Sequence, residues 1–284
     1  MEIRSLQIFL AVAREGSVSK AAKALHYVQS NVTARIKQLE DTLGAALFVR
    51  KSRGMALTAE GKVLLKYAER ILHLAEQATK AVNASLVSGG ELTIGSMETF
   101  AAIHLPQILS QFHKKHPGIN LSLRTGTSEE MTRKVLEFQV DCAFVGGEVN
   151  HAEINRLVVF KEKLFLFSRN AERFESEKEV LTLLVFRTGC AYRAHLEQWL
   201  FQSGIRNYRT MEFSTLDAIL GCVDAGMGVT ILPGSLLERP QYNHFAVKEL
   251  PEEFGTINMN LIYHKNTVFT HSMKSFLDQI GDQS

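Results

Sequence analysis

Cysteine is scarce in this chain. Three occur in 284 residues, Cys142, Cys190 and Cys222, far apart from one another. An odd count at those spacings matches no disulfide framework and no metal-ligand motif. Long apolar runs are missing too: none approaches the roughly 18 residues that a membrane-spanning helix needs. The opening MEIRSLQIFLAVAREG carries Glu2, Arg4, Gln7 and Arg14 and has no small-residue cleavage site, so it does not read as a signal peptide. A reduced, cytoplasmic protein without membrane partners is the expectation. Catalytic signatures are absent as well. There is no G-x-S-x-G, no H-E-x-x-H, no P-loop and no dinucleotide fingerprint. The ten histidines are scattered, and HKKH at His113–His116 reads as a solvated helix end. The expectation is therefore no enzyme, no bound metal and no cofactor.

Net charge is also nearly absent, at +2. That balance conceals a division. Residues 1–90 hold 13 Lys and Arg against 7 Asp and Glu, whereas the remainder holds 19 against 23. A basic N-terminal segment on an acidic remainder fits a nucleic-acid-binding module joined to something else. Chance variation in surface charge fits equally well. The length suggests two domains, and 45% hydrophobic residues supply ample core material.

What is present begins with helices. RSLQIFLAVAREGS places Leu6, Phe9, Leu10 and Ala13 on one face, with Gly16 just past its end. Ser17 or Ser19 caps a second helix, SKAAKALHY, where Ala21 and Ala22 admit a close neighbour. A third helix follows Tyr27 and Val28, with Val32, Ile36, Leu39 and Leu43 on one face, and ends at Gly44. This is a helix-turn-helix candidate. LFVRKSRGMALT then suits a hairpin wing with Arg50, Lys51 and Arg53 at its tip, placed for phosphate contact, the plain alternative being a solvated turn.

Thr58 opens a long proline-free segment of about 28 residues, roughly 40 Å as a helix. Leu64, Ala68, Ile71, Ala75, Ala78 and Val82 recur at spacings of four and three, a helix–helix seam. A linker and dimerisation helix is expected, with a core helix of one domain as the alternative. SGGEL at Ser88–Leu92 marks a boundary. Beyond it, short apolar strands (ELTIGS, NLSLRTGT, DCAFVGG, LFLFS, LTLLVF, GVTILP, INMNLIYHKN) alternate with helices (MTRKVLEF, AHLEQWLFQSG, TLDAILGCVDAG, HSMKSFLDQI). This alternation predicts an α/β domain of mostly parallel strands.

Between residues 4 and 66 the chain resembles the DNA-binding region of the LysR-type transcriptional regulators. The resemblance rests on Phe9, Ala21-Ala22, Leu25, Gln29-Ser30, Val32, Ile36, Leu39-Glu40, Leu43-Gly44, Leu47-Phe48, Arg50, Leu57-Thr58 and Gly61. ELTIGS, DCAFVGG and GMGVTILP resemble the family's effector domain more weakly. The resemblance implies an all-α winged helix-turn-helix at 1–58, a linker and dimerisation helix at 59–89, and a periplasmic-binding-protein-like α/β domain at 90–284. The last would have two lobes, about 90–161 with 266–284 and about 162–265, crossed near Phe160–Leu164 and Tyr263–Asn266. It also implies a homodimer or homotetramer on double-stranded DNA, a small-molecule effector and RNA polymerase as a further partner. Asn31 and Thr33 depart from the residues usual in the family and bear on which bases are read.

The candidate DNA-contacting residues are Ser17, Gln29, Ser30, Asn31, Thr33, Arg35, Lys37, Arg50, Lys51 and Arg53. The first turn of a recognition helix faces base edges, Gln and Asn pair bidentately with adenine, and Arg suits guanine or phosphate. Helix capping is the competing role for Ser30. The effector candidates are Ser96, Met97, Thr99, Thr127, Ser128, Phe144, Thr188 and Gly189, because ligands of open α/β sheets sit beyond strand C-termini. Hydroxyls and helix N-termini there favour a small organic anion, although each Ser or Thr also suits an ordinary cap. Arg187 and Arg193 would add charge or simply be exposed. A thiol redox sensor using Cys190 and Cys222 is the alternative reading.

Overall fold

The computed structural model describes residues 1–51, 54–83, 90–171 and 180–281. Arg53 and the Ser88-Gly89 part of the expected boundary lie outside the described residues. The chain forms two compact units, Met1–Asn83 with Glu137–Gln139, and the rest.

In the first unit, α1 (Ile3–Glu15) ends at Gly16, whose φ of 58° is left-handed. Helix α2 (Val18–Ala24) starts at Ser17, whose hydroxyl accepts from Lys20 N–H at 3.4 Å. Helix α3 (Gln29–Leu43) ends at left-handed Gly44. Val32, Ile36 and Leu39 are buried with Leu6, Phe9, Val12, Ala21 and Ala22, so one apolar stripe per helix closes a single small core. Strands β1 (Phe48–Lys51) and β2 (Gly54–Leu57) pair antiparallel as the wing. Met55 N–H donates to Gly16 O at 2.8 Å, fixing the wing to the end of α1.

Thr58 then caps α4 (Ala59–Asn83), accepting from Gly61 N–H at 2.9 Å. Gly61 is required there, since a Cβ would lie 2.1 Å from Leu47 O. The expected seam on α4 is only partly available. Leu64 and Ala68 are buried in the helical core, and Ile71 packs partly against it. The large apolar residues facing outward are Val82 of that seam together with Val63, Tyr67 and Leu74.

The second unit has two lobes. In the first, β3 (Gly90–Met97) leads to α5 (Glu98–Ile103) and α6 (Leu105–Lys115), β4 (Ile119–Gly126) to α7 (Ser128–Leu136), and β5 (Cys142–Gly146) follows. Strand β6 (Ile154–Ser168) then runs into the second lobe, which holds β7 (Leu181–Phe186), α8 (Ala191–Gln202), β8 (Tyr208–Phe213), α9 (Leu216–Asp224), β9 (Thr230–Pro233) and β10 (Ala246–Glu249). Strand β11 (Thr256–His264) and α10 (His271–Gly281) return to the first lobe. Ser272 Oγ donates to Glu91 O at 3.0 Å, and Phe276 meets Phe112 edge-on at 5.2 Å.

The sheet order is β10-β6-β11-β5-β3-β4, with β9 also on β6. It is mixed rather than mostly parallel. Strands β3–β4, β3–β5 and β7–β8 are parallel, whereas β11 is antiparallel to both β5 and β6. The reason is that β11 re-enters from the second lobe, against the direction of the first-lobe strands. Its pairing also corrects the second crossing. Because β11 is hydrogen-bonded along β5 and Ile154–Lys163, the return lies before Thr256, not near Tyr263–Asn266. The other half of β6, Leu164–Ser168, pairs with β9 and β10.

Candidate nucleic-acid interface and interlobe cleft

Helix α3 buries Val32, Ile36 and Leu39, which turns Gln29, Ser30, Asn31, Thr33 and Lys37 to solvent. The cap position is Val28, which makes no side-chain cap bond. Ser30 is therefore not the cap, and the first turn of α3 carries no acidic residue. The exposed side chains differ in freedom. Gln29 Oε1 accepts from Ser19 Oγ at 2.9 Å, tying the amide to α2. Thr33 Oγ1 donates to Gln29 O at 3.0 Å, leaving its oxygen as an acceptor. Arg35 donates from Nη1 to Glu2 Oε2 at 3.0 Å and reaches Gln38 Oε1 at 3.4 Å. It is thus directed toward the start of α1. Ser17 serves as the cap of α2. Arg50 and Lys51 are exposed on β1.

In the second unit a cleft, partly open to solvent, separates the lobes. Its first-lobe wall is Met97, Glu98, Thr99, Thr125, Gly126 and Thr127, and its second-lobe wall is Phe186, Arg187, Cys190 and Ser214. Helices α5, α7, α8 and α9 start around it. Thr127 and Glu130 form a reciprocal capping box: Thr127 N–H donates to Glu130 Oε2 at 3.0 Å, and Glu130 N–H donates to Thr127 Oγ1 at 3.2 Å. Thr99 differs from Thr127. Its Oγ1 is buried beside the Tyr192 phenol.

Two contacts span the cleft mouth. Glu129 N–H donates to Gly189 O at 3.2 Å, and Arg187 Nη2 lies 3.4 Å from Glu130 Oε2. Elsewhere between the lobes, Arg239 donates to Ala102 O at 2.6 Å, and His104 Nε2 meets Glu162 Oε2 at 2.7 Å and Ser235 Oγ at 3.3 Å.

Of the expected effector residues, Met97, Thr99 and Thr127 line the cleft. The others do not. Ser96 Oγ donates to Met97 O at 3.0 Å within the core. Ser128 Oγ accepts from Gly146 N–H at 3.2 Å, pinning α7 to β5. Phe144 is stacked on Phe100 at 4.5 Å, because alternate residues of a strand buried on both faces point into core on either side. Thr188 is exposed, and Gly189, at φ 89°, forms the contact between lobes. Arg193 is committed to Glu197 at 2.7 Å and Glu212 at 2.8 Å, which raise its already high pKa.

Two family models match. "Bacterial regulatory helix-turn-helix protein, lysR family" covers residues 3–62, and "LysR substrate binding domain" covers 87–284. The chain belongs to the LysR family. It is a DNA-binding transcriptional regulator with an effector-binding domain. The LysR-type regulator is 44% identical over 283 residues to the HTH-type transcriptional regulator CzcR of Bacillus cereus, covering 99% of this chain and 98% of that one. It is 43% identical over 281 residues to the HTH-type transcriptional regulator SoxR of an Arthrobacter species, covering 99% and 96%. Among solved structures, full-length CbnR complexed with its target DNA superposes with a TM-score of 0.75 at 24% identity over 100% of both chains, a likeness of fold.

The cysteines of this LysR protein are buried or half-buried. Burial pushes the Cys142 thiol well above its usual range, with the Asp141 carboxylate adding to the effect. It pushes Cys190 up as well, against smaller opposing contributions from the N–H groups of Arg193 and Tyr192 and the charge of Arg193. A raised thiol pKa leaves little thiolate, the reactive form. No helix of the described residues is long and apolar enough to cross a membrane.

Proposed function

We propose that this regulator reads its operator through Gln29, Asn31 and Thr33. Ser30, Lys37, Arg50 and Lys51 hold phosphates, with Ser17, as the cap of α2, beside the backbone. The carrying observation is the division of α3: its apolar stripe is buried, and its first turn is polar, exposed and free of acidic residues. Asn pairs bidentately with adenine, whereas Gln29, buttressed by Ser19, offers its amide N–H₂ outward. Two copies join through Val63, Tyr67 and Leu74 of α4 and so present two reading heads to a two-fold site. The effector is a small molecule with an anionic group, held in the interlobe cleft among the helix starts and Arg187. Its binding alters the regulator's output to RNA polymerase in the cytoplasm.

The test starts from an operator selected out of random DNA by the full chain. Gln29→Ala, Asn31→Ala and Thr33→Ala are titrated on that site and on a scrambled one at fixed salt. Each lost base contact is expected to weaken the selected site about 5–100-fold and to spare the scrambled site. Lys37→Ala and Arg50→Ala are expected to weaken both alike. If the first three variants bind both sequences like the parent, the assignment is wrong.

A further inference from the structure

We propose that the ligand of the interlobe cleft is a zwitterion of the α-amino-acid kind with an apolar side chain, so that it carries an ammonium as well as a carboxylate. This deepens the reading of the cleft as the effector site and rests on it. The two walls carry opposite charges: Glu98 from the first lobe and Arg187 from the second. Their situations differ. Arg187 already faces a carboxylate, Glu130, across the cleft mouth. Glu130 is itself held by Thr127 N–H. Glu98 lines the cleft, and among the described residues its carboxylate has neither a hydrogen bond nor an ion pair.

A lone carboxylate in a cleft repels a simple anion brought beside it and attracts an ammonium. The dipole of α5 favours an acid at that position, but α5 has only six residues and Glu98 caps none of its N–H groups. Thr99 lines the same wall, with its hydroxyl oxygen turned into the protein beside the Tyr192 phenol. Arg187 is placed to bind the carboxylate of the ligand, and Glu98 its ammonium. The long, half-exposed Arg187–Glu130 contact yields to the ligand carboxylate. Met97, Phe186 and Cys190 give the side chain apolar walls.

The test uses the full chain, with calorimetry and thermal shift. The probes are the common L-amino acids and, for each apolar one, the matching carboxylate without the amine, such as 4-methylpentanoate for leucine and 3-phenylpropanoate for phenylalanine. At least one apolar amino acid is expected to bind, and its des-amino partner to bind at least about tenfold more weakly. Glu98→Gln is expected to erase that preference, weakening the amino acid and strengthening the carboxylate, while the unliganded variant still folds and unfolds in one transition like the parent. Equal binding of the two probes, or a preference that survives Glu98→Gln, overturns the zwitterion and leaves the cleft reading standing. Binding that is indifferent to Arg187→Gln overturns the cleft reading itself. Silence of every probe overturns both.

Discussion

The Glu40 carboxylate accepts the backbone N–H of Leu47 at 2.7 Å and of Phe48 at 3.3 Å. It thereby joins the last turn of α3 to the first residue of the wing. Two backbone donors at the turn after Gly44 depend on this one side chain. Glu40→Ala is expected to destabilise the helical unit by about 1–3 kcal/mol, the usual consequence of stranding a partly buried donor. Glu40→Gln keeps an acceptor and should lose less. Urea unfolding of the two variants checks this, and an alanine variant as stable as the parent refutes the role. Because the wing is displaced as a body, DNA affinity should fall by similar factors on selected and scrambled sites.

The Glu2–Arg35 pair leads to a different outcome. The Arg35 and Glu2 side chains are 34% and 65% exposed, so the pair contributes little to stability, roughly 0–1 kcal/mol. Its importance is where it directs the guanidinium. Glu2→Gln removes an anion beside the reading helix and frees Arg35 to meet a phosphate. Affinity is expected to rise a few-fold on any sequence, and the slope of log affinity against log salt to steepen by up to about 0.9, one more released counterion. Anisotropy titrations at two salt concentrations give that slope. A gain confined to the selected site would instead make Arg35 a base reader.

The helical unit was legible in the sequence because its signals were local. Gly16 and Gly44 stop helices, Ser17 starts one, and Val32, Ile36 and Leu39 keep a period of 3.6. What Glu40 and Gly61 do was not legible, since each answers to Leu47, a partner set by the fold. Of β6 in the second unit, only LFLFS read as a strand. The preceding INRLVVFKEK is half exposed and carries Glu162, buried beside His104, so charge masked its pairing with β11. Pro106 hid α6 by falling at its first turn, where proline is tolerated. The cleft was the least legible part. The strand-end rule found Met97, Thr99 and Thr127, but the pleat turned Ser96 and Phe144 into core. Glu98 and Arg187 line one cleft only because two lobes face each other.

His195 links the second lobe to pH. Its Nε2 is 2.8 Å from Phe254 O, and burial lowers its pKa, with that carbonyl opposing in part. A lowered folded-state pKa means the neutral ring is favoured in the fold. That contribution is fully present above the ordinary imidazole value and is lost as pH falls below it through the folded value. His195→Gln is expected to flatten the fall in urea midpoint below about pH 6.5 and to leave the profile above it parallel to the parent. An unchanged acid limb would place the titrating group elsewhere.

The outward stripe of α4 bears on assembly. Val63, Tyr67 and Leu74 are 58%, 57% and 48% exposed in one chain. The spacing of four and seven puts them on one side of the helix, distinct from the side of Leu64 and Ala68 that closes the helical core. Three large apolar groups in a row along a helix are costly in water and favour burial against another helix. Double substitution Tyr67→Glu with Leu74→Glu is expected to shift the protein from dimer toward monomer in sedimentation at micromolar concentration. The core-facing Ala68→Glu is expected to behave differently, because it buries an unpaired charge and unfolds the helical unit. A two-headed operator makes the consequence measurable: affinity for the full two-fold site should collapse toward that for a half-site, while half-site binding is retained. If the double variant remains a dimer, the chains meet through another surface, and the outward stripe must be covered in some other way.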